Sequence, residues 1–236
     1  MSGRIADAVP AAGTWHASGA GGGSARLPRT AAGLTMAAAG VIIFAGYLVT
    51  PYGNSAEAAE LRTVAAHPMQ TQVAAVLLHF GYLLLVPTAF ALVHLARRGA
   101  RRLSYTGLVF SVLGAGLSGL LVTDFFSLAL AQHLPIASAV RVSEAAKQYS
   151  LGALLAKPSA LAAVLGLVLL AVAAWRAGWV SWWPAAAMFA GWIVAIGGNA
   201  LVPAGIGSGL VLLSLVVLGV RVLRMSDGEW EDGRPA

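Results

Sequence analysis

Three observations predict an all-α fold, a six-helix transmembrane bundle. Of the 236 residues, 58% are hydrophobic and only 10% are charged, whereas a soluble domain carries about 25% charged residues. Apolar runs of roughly 20 residues recur along the chain, which is the length that a helix needs to cross a bilayer. The basic residues flank these runs, where they set membrane topology rather than bind nucleic acid. The chain has no cysteine, so disulfides and thiolate metal sites are excluded.

The chain begins with a polar tail that leads into the first span. Residues 1–30 are rich in glycine and alanine and have no apolar periodicity, which predicts a disordered cytoplasmic tail. Span one is predicted at Ala31–Thr50, and its position and length favour a retained helix over a cleaved secretory signal. Asn54 followed by Glu57 has the spacing of a capping box, so we expect a short loop helix that ends near Ala66.

Spans two and three are joined by a short arginine-rich loop. They are predicted at Thr71–Leu95 and Leu103–Gln132, with the loop at Ala96–Arg102. Because the loop is too short to form a domain, we expect the two spans to be antiparallel neighbours. Pro87 lies inside span two and predicts a kink, since proline has no backbone N–H to donate.

The longest connection follows span three and is predicted to contain a second loop helix. Between His133 and Lys157, charged residues recur at a spacing of three, at Arg141, Glu144 and Lys147. This spacing gives a helix one polar face, which is typical of a helix that lies on or above the membrane surface.

Three more spans complete the predicted bundle. Span four is expected at Ser159–Ala177, with Pro158 in its first turn, where proline is well tolerated. Span five is expected at about Pro184–Leu201. A tight turn at Pro203–Gly209 is then predicted to lead into span six at Leu210–Leu223.

The basic residues predict the orientation of the bundle. Six spans place both termini on one side, and that side holds eleven of the 15 basic residues: Arg4, Arg26, Arg29, Arg97, Arg98, Arg101, Arg102, Arg176, Arg221, Arg224 and Arg234. The other side holds Arg62, Arg141, Lys147 and Lys157. The positive-inside rule therefore predicts cytoplasmic termini and two extracytoplasmic loop helices. The excess of arginine over lysine suggests a GC-rich bacterial genome, and hence a bacterial plasma membrane.

This topology divides the chain into three parts. We expect the membrane domain to cover residues 31–225, between the tail of residues 1–30 and a short polar cytoplasmic tail of residues 226–236. The cytoplasmic connections are short and the outer ones are long, so we expect the working face to be the outer one.

His79 and Asp124 are the strongest candidates for a functional site. Span two enters near Gln72, which places His79 roughly 10 Å below the outer boundary. Span three leaves near Gln132, which places Asp124 roughly 12 Å below the same boundary. A charged carboxylate at such a depth costs about 2.5–3.5 kcal/mol, so we expect a hydrogen bond between the two side chains. Such a pair can relay protons, act as acid and base or hold part of a cation; the alternative is a purely structural clasp.

Other polar residues can contribute to this site. Tyr82 lies one turn below His79, Thr123 and Ser127 flank Asp124, and Asn199 lies near the outer end of span five. A separate stripe of small residues on span three is expected to form a close-packing surface; its members are Ser111, Gly114, Ala115, Ser118 and Gly119.

Metal and cofactor sites are not expected. His67 and His133 are weak candidates as metal ligands, because they lie in loops and no local ligand spacing supports them. Trp192 is interpreted as a packing residue. No glycine-rich phosphate loop is present, and we expect no cofactor. Because the basic residues flank the spans, we also expect no nucleic acid. The lipid bilayer is the one assured partner, and the oligomeric state and protein partners stay open.

One resemblance concerns the first half of the chain. It rests on His67-Pro68, on Leu78-His79 followed by Leu83–Pro87, on the arginine loop and on a glycine-rich span that ends near an aspartate. This pattern, over Ala31–Gln132, resembles uncharacterised six-span membrane proteins of high-GC Gram-positive bacteria, grouped as domains of unknown function. The resemblance implies an architecture and no activity.

Three functions are compatible with the sequence. The first is binding or transport of a small solute or proton through an outer-leaflet pocket centred on His79 and Asp124. The second is a membrane enzyme that acts on a lipophilic substrate by acid and base chemistry. The third is an accessory or assembly subunit of a membrane complex. The lack of a clear inverted repeat counts against transport, and the shortage of further catalytic side chains counts against an enzyme.

Overall fold

A computed structural model describes residues 26–52, 56–114, 120–149, 151–197 and 200–233. Within these residues every regular element is an α-helix, and there are ten. They are α1 (Arg26–Val49), α2 (Glu57–Ala66), α3 (Pro68–Ala96), α4 (Arg101–Leu113), α5 (Leu120–His133), α6 (Ile136–Tyr149), α7 (Leu151–Arg176), α8 (Trp183–Gly197), α9 (Leu201–Arg224) and α10 (Asp227–Asp232).

Four of these helices are long and apolar enough to cross a membrane. Two of them are whole helices, α3 (Pro68–Ala96) and α9 (Leu201–Arg224). The other two are the segments Pro28–Val49 of α1 and Pro158–Arg176 of α7. At 1.5 Å per residue, α3 is about 43 Å long, which exceeds the roughly 30 Å hydrocarbon core of a bilayer. The apolar segment of α8, Trp183–Ala195, is shorter. The protein is therefore an all-helical membrane protein.

Helix α3 lies at the centre of the bundle. It packs against α1, α4, α5 and α7, while α9 packs against α1 and α8, and α4 packs against α7. The core between them is aliphatic and aromatic; its fully buried side chains include Met36, Leu92, Leu167, Leu170, Met188, Leu215 and Leu218. Pro87 lies inside α3, which continues through it as a single helix.

Glycine allows the closest helix contacts. A Cβ atom on Gly166 of α7 would lie 2.4 Å from the backbone nitrogen of Ser111 on α4. A Cβ atom on Gly114 would lie 2.3 Å from Cα of Ala163. Small residues thus let these backbones approach in the way that is typical of membrane helices. Ser111 and Gly114 belong to the predicted small-residue stripe, whose other three members, residues 115, 118 and 119, lie outside the described residues.

Two predicted boundaries are wrong. No turn occurs at Pro203–Gly209, because α9 begins at Leu201 and continues through that segment. Pro203 lies in the first helical turn, where its missing N–H leaves no hydrogen bond unmade, and Gly207 is needed where α9 meets α8. Helix α7 begins at Leu151, before the predicted start of span four, so Pro158 lies inside a helix and not in its first turn.

Other predictions fall partly outside the described residues. The chain predicted as one span at Leu103–Gln132 forms α4 and α5, with residues 115–119 between them undescribed. Helix α2 begins at Glu57 after Ala56, and the expected cap Asn54 is not among the described residues. Residues 1–25 of the predicted tail are also undescribed, while Arg26 already belongs to α1.

The two ends of the bundle differ in composition. We call one the arginine-rich end: here the Arg29 guanidinium of α1 donates to the Leu223 carbonyl at 2.9 Å, and the Trp179 indole donates to the Leu95 carbonyl at 2.9 Å. We call the other the loop-helix end, because α2 and α6 pack there around the end of α5. A small apolar cluster fills this second end: Leu61, Val64, Leu128, Leu130, Ala131 and Ala139.

The two loop helices are connected by a charged contact. Ser143 and Lys147 of α6 both donate hydrogen bonds to the carboxylate of Glu57 on α2. Burial opposes ionisation of Glu57, but the hydrogen bonds from Lys147 and Ser143 and the Lys147 charge outweigh it, so the pKa of this carboxyl is lowered. Helices occur in both long connections, where the sequence predicts them.

Candidate functional site

Tyr82 lies halfway along α3, where three helices meet. Its side chain is buried, and its hydroxyl lies 3.1 Å from the hydroxyl of Tyr47 on α1. Its ring stacks on Trp192 of α8, with the ring centroids 6.1 Å apart and the ring planes at 26°. A pair of phenolic hydroxyls and an indole are thus held together in an otherwise apolar bundle.

Tyr52 extends this group toward the loop-helix end. It lies beyond the end of α1, and its hydroxyl donates to the backbone carbonyl of Tyr47 at 2.9 Å. Burial, together with the neighbouring Tyr47, raises the pKa of Tyr52 to about 12. The hydroxyl therefore stays protonated at neutral pH and acts as a neutral hydrogen-bonding group.

Asp124 provides the acid of this region. It is half-buried on α5, which packs against α2 and α3. Its electrostatic neighbours are Tyr82 and a second acid, Glu60 of α2, which is exposed. In the part of the chain that the structure describes, none of the ion pairs involves Asp124. Among the described residues, this acid therefore has a phenol and a second acid as electrostatic neighbours and no ion-pair partner.

His79 lies on the same helix as Tyr82. Its side chain is half-buried, and its ring meets the ring of Phe80 edge-on at 5.4 Å between centroids. His79 and Tyr82 are three residues apart, so they share one face of α3. The hydrogen bond between His79 and Asp124 stays a prediction.

The structure covers the remaining predicted site residues unevenly. Ser127 is half-buried on α5, three residues after Asp124. The side chain of Thr123 and the whole of Asn199 lie outside the described residues. Their contribution to the site therefore stays a prediction.

The two histidines considered as metal ligands are exposed. His67 lies at the junction of α2 and α3, where its carbonyl accepts a hydrogen bond from the Thr71 hydroxyl at 3.0 Å. His133 is the last residue of α5. Within the described ranges, His, Cys, Asp and Glu form no group of three or more that could hold a metal ion.

Trp192, which the sequence analysis interprets as a packing residue, and Tyr47 both contact Tyr82, and neither was among the predicted site residues. Trp192 is 2% exposed, and its indole Nε1 has no hydrogen-bond partner in the described part of the chain. A buried indole N–H usually has an acceptor, so this one is a donor available to a bound group. The sequence feature that could have indicated Tyr47 is a phenolic hydroxyl inside the apolar span Ala31–Thr50.

An apolar cavity borders the other side of Tyr82. It has a volume of about 160 Å³ and lies between α3, α4 and α7. Its walls are mostly aliphatic, with Phe90, Leu108 and Leu167 among them. Ser111 also lines it, and its buried hydroxyl has no partner among the described residues. Tyr82 therefore contacts Tyr47 and Trp192 and also lines an apolar cavity that is suited to a hydrocarbon chain.

A further feature lies at the arginine-rich end, in the predicted polar tail. Helix α10 starts with a capping box, in which Ser226 and Glu229 exchange side-chain and backbone hydrogen bonds. Trp230 of this helix is buried and stacks on His94 of α3, with centroids 4.4 Å apart. The Nε2–H of His94 donates to the Trp230 carbonyl at 2.9 Å. The Ser-x-x-Glu spacing was readable in the sequence.

Arginines surround α10 and pair with three of its four acids. Arg29 pairs with Asp227 at 3.0 Å, Arg221 with Glu229 at 3.8 Å and Arg98 with Asp232 at 3.6 Å. Arg97 donates to backbone carbonyls of His94 and Glu231. Thus the C-terminal helix joins the ends of α1, α3 and α9.

Comparisons with protein-family models, with curated proteins and with solved structures found no match to the chain.

Proposed function

We propose that this chain is a six-span plasma-membrane protein that binds and moves a small solute or proton through an outer-leaflet polar site. The site consists of Asp124 and His79 with Tyr82 and Tyr47. The observation that carries this proposal is the setting of Asp124, which is half-buried beside Tyr82 and Glu60 and forms none of the ion pairs among the described residues.

The contacts between helix ends support the six-span topology. In this topology α4 and α5 together form the third span, and the short α8 forms the fifth. The hydrogen bond from Arg29 to Leu223 joins the start of α1 to the end of α9, as expected when both termini lie on one side. The arginines at that end favour the cytoplasm. The domain division into residues 1–30, 31–225 and 226–236 is part of the same proposal.

The chemistry of an acid within a membrane supports the choice of ligand. An ionised carboxylate in an apolar bundle is costly, so Asp124 gains from taking up a proton or a cationic group. The hydroxyls of Tyr82 and Tyr47 can donate hydrogen bonds to its oxygens or to the bound group. Glu60 lies at the loop-helix end and would attract cations toward the entrance.

Proton movement is tested with the full chain in proteoliposomes that contain a pH-sensitive dye. A potassium diffusion potential drives protons inward, and Asp124→Asn is compared with Glu144→Gln, which removes an exposed acid from α6. We expect the internal pH to fall with the unmodified chain and with Glu144→Gln, and to stay constant with Asp124→Asn. Equal acidification by both variants, with both eluting as folded protein, would contradict the proposal.

The apolar cavity favours a second candidate, a membrane enzyme that uses Asp124 on a lipophilic substrate. Tyr82 lines the cavity and is also an electrostatic neighbour of Asp124, so a hydrocarbon chain in the cavity would bring a polar group toward the acid. Leu108→Phe enlarges a half-buried side chain that lines the cavity and replaces no polar group. It would lower turnover of a lipophilic substrate, whereas proton movement would remain unchanged.

A further inference from the structure

A basic hollow opens at the arginine-rich end, away from the site around Asp124. It has a volume of about 320 Å³ and is lined by residues 99–103 together with Arg176. Three of its lining residues are arginines: Arg101, Arg102 and Arg176. A volume of this size falls within the range of small-ligand pockets.

Close packing of the loop brings these arginines together. Gly99 lies in the loop between α3 and α4, and a Cβ atom there would lie only 2.7 Å from Cα of Ala177. The loop is therefore pressed against the residue that follows α7. As a result, Arg176 in the last turn of α7 faces the same hollow as Arg101 and Arg102 in the first turn of α4.

The first turn of α4 adds backbone donors to the hollow. Ala100, its N-cap residue, makes no side-chain capping hydrogen bond. The N–H of Ser104 bonds to the Ala100 carbonyl, and the three N–H groups before it belong to the set that a helix leaves unpaired. Such a helix start attracts oxyanions through these donors and through the helix dipole.

The charge of the hollow is not neutralised by the described part of the protein. Of the four acids of α10, three pair with arginines outside the hollow, namely Arg29, Arg98 and Arg221. None of the described ion pairs includes an arginine of the hollow. The guanidinium of Arg101 lies 5.8 Å from the centre of the Tyr105 ring, which orients the side chain without cancelling its charge. Three like charges in one hollow favour an anion.

We propose that Arg101, Arg102 and Arg176 bind the phosphate group of an anionic phospholipid. The hollow lies where α3 and α7 end, and both contain segments of membrane-crossing length, so it lies at the level of lipid headgroups. Guanidinium groups bind phosphate oxygens in a bidentate manner, and basic pockets between membrane helices bind anionic headgroups. This site depends on the membrane location alone and not on the function proposed for Asp124.

The binding experiment uses the purified full chain in detergent, with native mass spectrometry to count bound lipid. Phosphatidylglycerol is the probe, phosphatidylcholine is the neutral comparison, and inorganic phosphate is the competitor. The test variant replaces all three arginines of the hollow by glutamine. The matched control is Arg224→Gln. Arg224 is an exposed arginine at the same end of the bundle, but it does not line the hollow.

We expect the unmodified chain and Arg224→Gln to retain phosphatidylglycerol, and the triple variant to bind it at least about tenfold more weakly. Replacement by lysine keeps the charge and loses the bidentate geometry, so it should give an intermediate loss. Displacement by inorganic phosphate at low concentration, with no preference between the lipids, would overturn the lipid assignment and indicate a free phosphate compound. Equal loss with Arg224→Gln would overturn the site. If the triple variant fails to fold, the single variant Arg176→Gln is measured instead. We then expect a partial loss of phosphatidylglycerol binding, and unchanged binding would contradict the site.

Discussion

Removal of the Trp230 side chain should release α10 from the bundle. The side chain is 6% exposed and stacks on His94, and a tryptophan buries about 150–250 Å² of surface. At about 25 cal/mol per Å², this burial contributes about 4–6 kcal/mol as an upper value. Of the three ion pairs around α10, Arg98–Asp232 is the most exposed, and an exposed pair contributes only about 0–1 kcal/mol. Trp230→Ala therefore removes the contact that contributes most to holding this short helix, and the ion pairs left behind cannot replace it.

The release of α10 can be followed with one spin label. The native chain has no cysteine, and a side chain at Gly228 meets no atom within 4 Å, so a nitroxide on Gly228→Cys reports this helix alone. We expect a slow, restricted spectrum that becomes fast and isotropic with Trp230→Ala. Asp232→Asn, which removes the exposed ion pair with Arg98, should change it only slightly. An unchanged spectrum with Trp230→Ala would refute the assignment of Trp230 as the main anchor.

Two further predictions concern the loop-helix end and the helix contacts. Glu57→Gln should weaken the α2–α6 contact by about 1 kcal/mol, seen as faster amide exchange in both helices. Because folding lowers the pKa of Glu57, its contribution should be present above the ordinary glutamate pKa and disappear as the pH falls through the lower folded value. Protection factors, corrected for the intrinsic pH dependence of exchange, that stay constant over this acid range would contradict it. Gly166→Ala should destabilise the protein by about 1–3 kcal/mol, because the new Cβ would meet the α4 backbone. Gly205→Ala, where the nearest atom lies at 3.5 Å, should melt close to the unmodified protein, and equal losses would refute the packing argument.

Hydropathy and local periodicity predicted much of the helix arrangement. Spans one, two and four correspond to α1, α3 and α7, because long apolar runs are a local signal that needs no knowledge of neighbours. The charged spacing of Arg141, Glu144 and Lys147 likewise indicated α6. The turn predicted at Pro203–Gly209 was wrong because α9 continues through it and Gly207 allows close packing against α8, which only the tertiary structure shows.

The composition of the site could be predicted only in part. Asp124 and Tyr82 were predicted as site residues because polar groups are rare in apolar spans, and their role in a site stays a prediction. The contacts of Tyr82 with Tyr47 and Trp192 join helices that are far apart in sequence, so no spacing rule could indicate them. Helix α10 was missed because a short polar tail gives no apolar run, although its capping box was readable.

Thiol accessibility gives the most direct test of an outward-facing site at Asp124. Single cysteines are placed at Asp124, at Gln132 and at Gly228, and intact cells without an outer membrane are treated with a membrane-impermeant thiol reagent. We expect Gln132→Cys to react, Asp124→Cys to react more slowly and Gly228→Cys to react only after the membrane is permeabilised. Reaction of Gly228→Cys from outside, or an inert Asp124→Cys beside a reactive Gln132→Cys, would contradict the proposal.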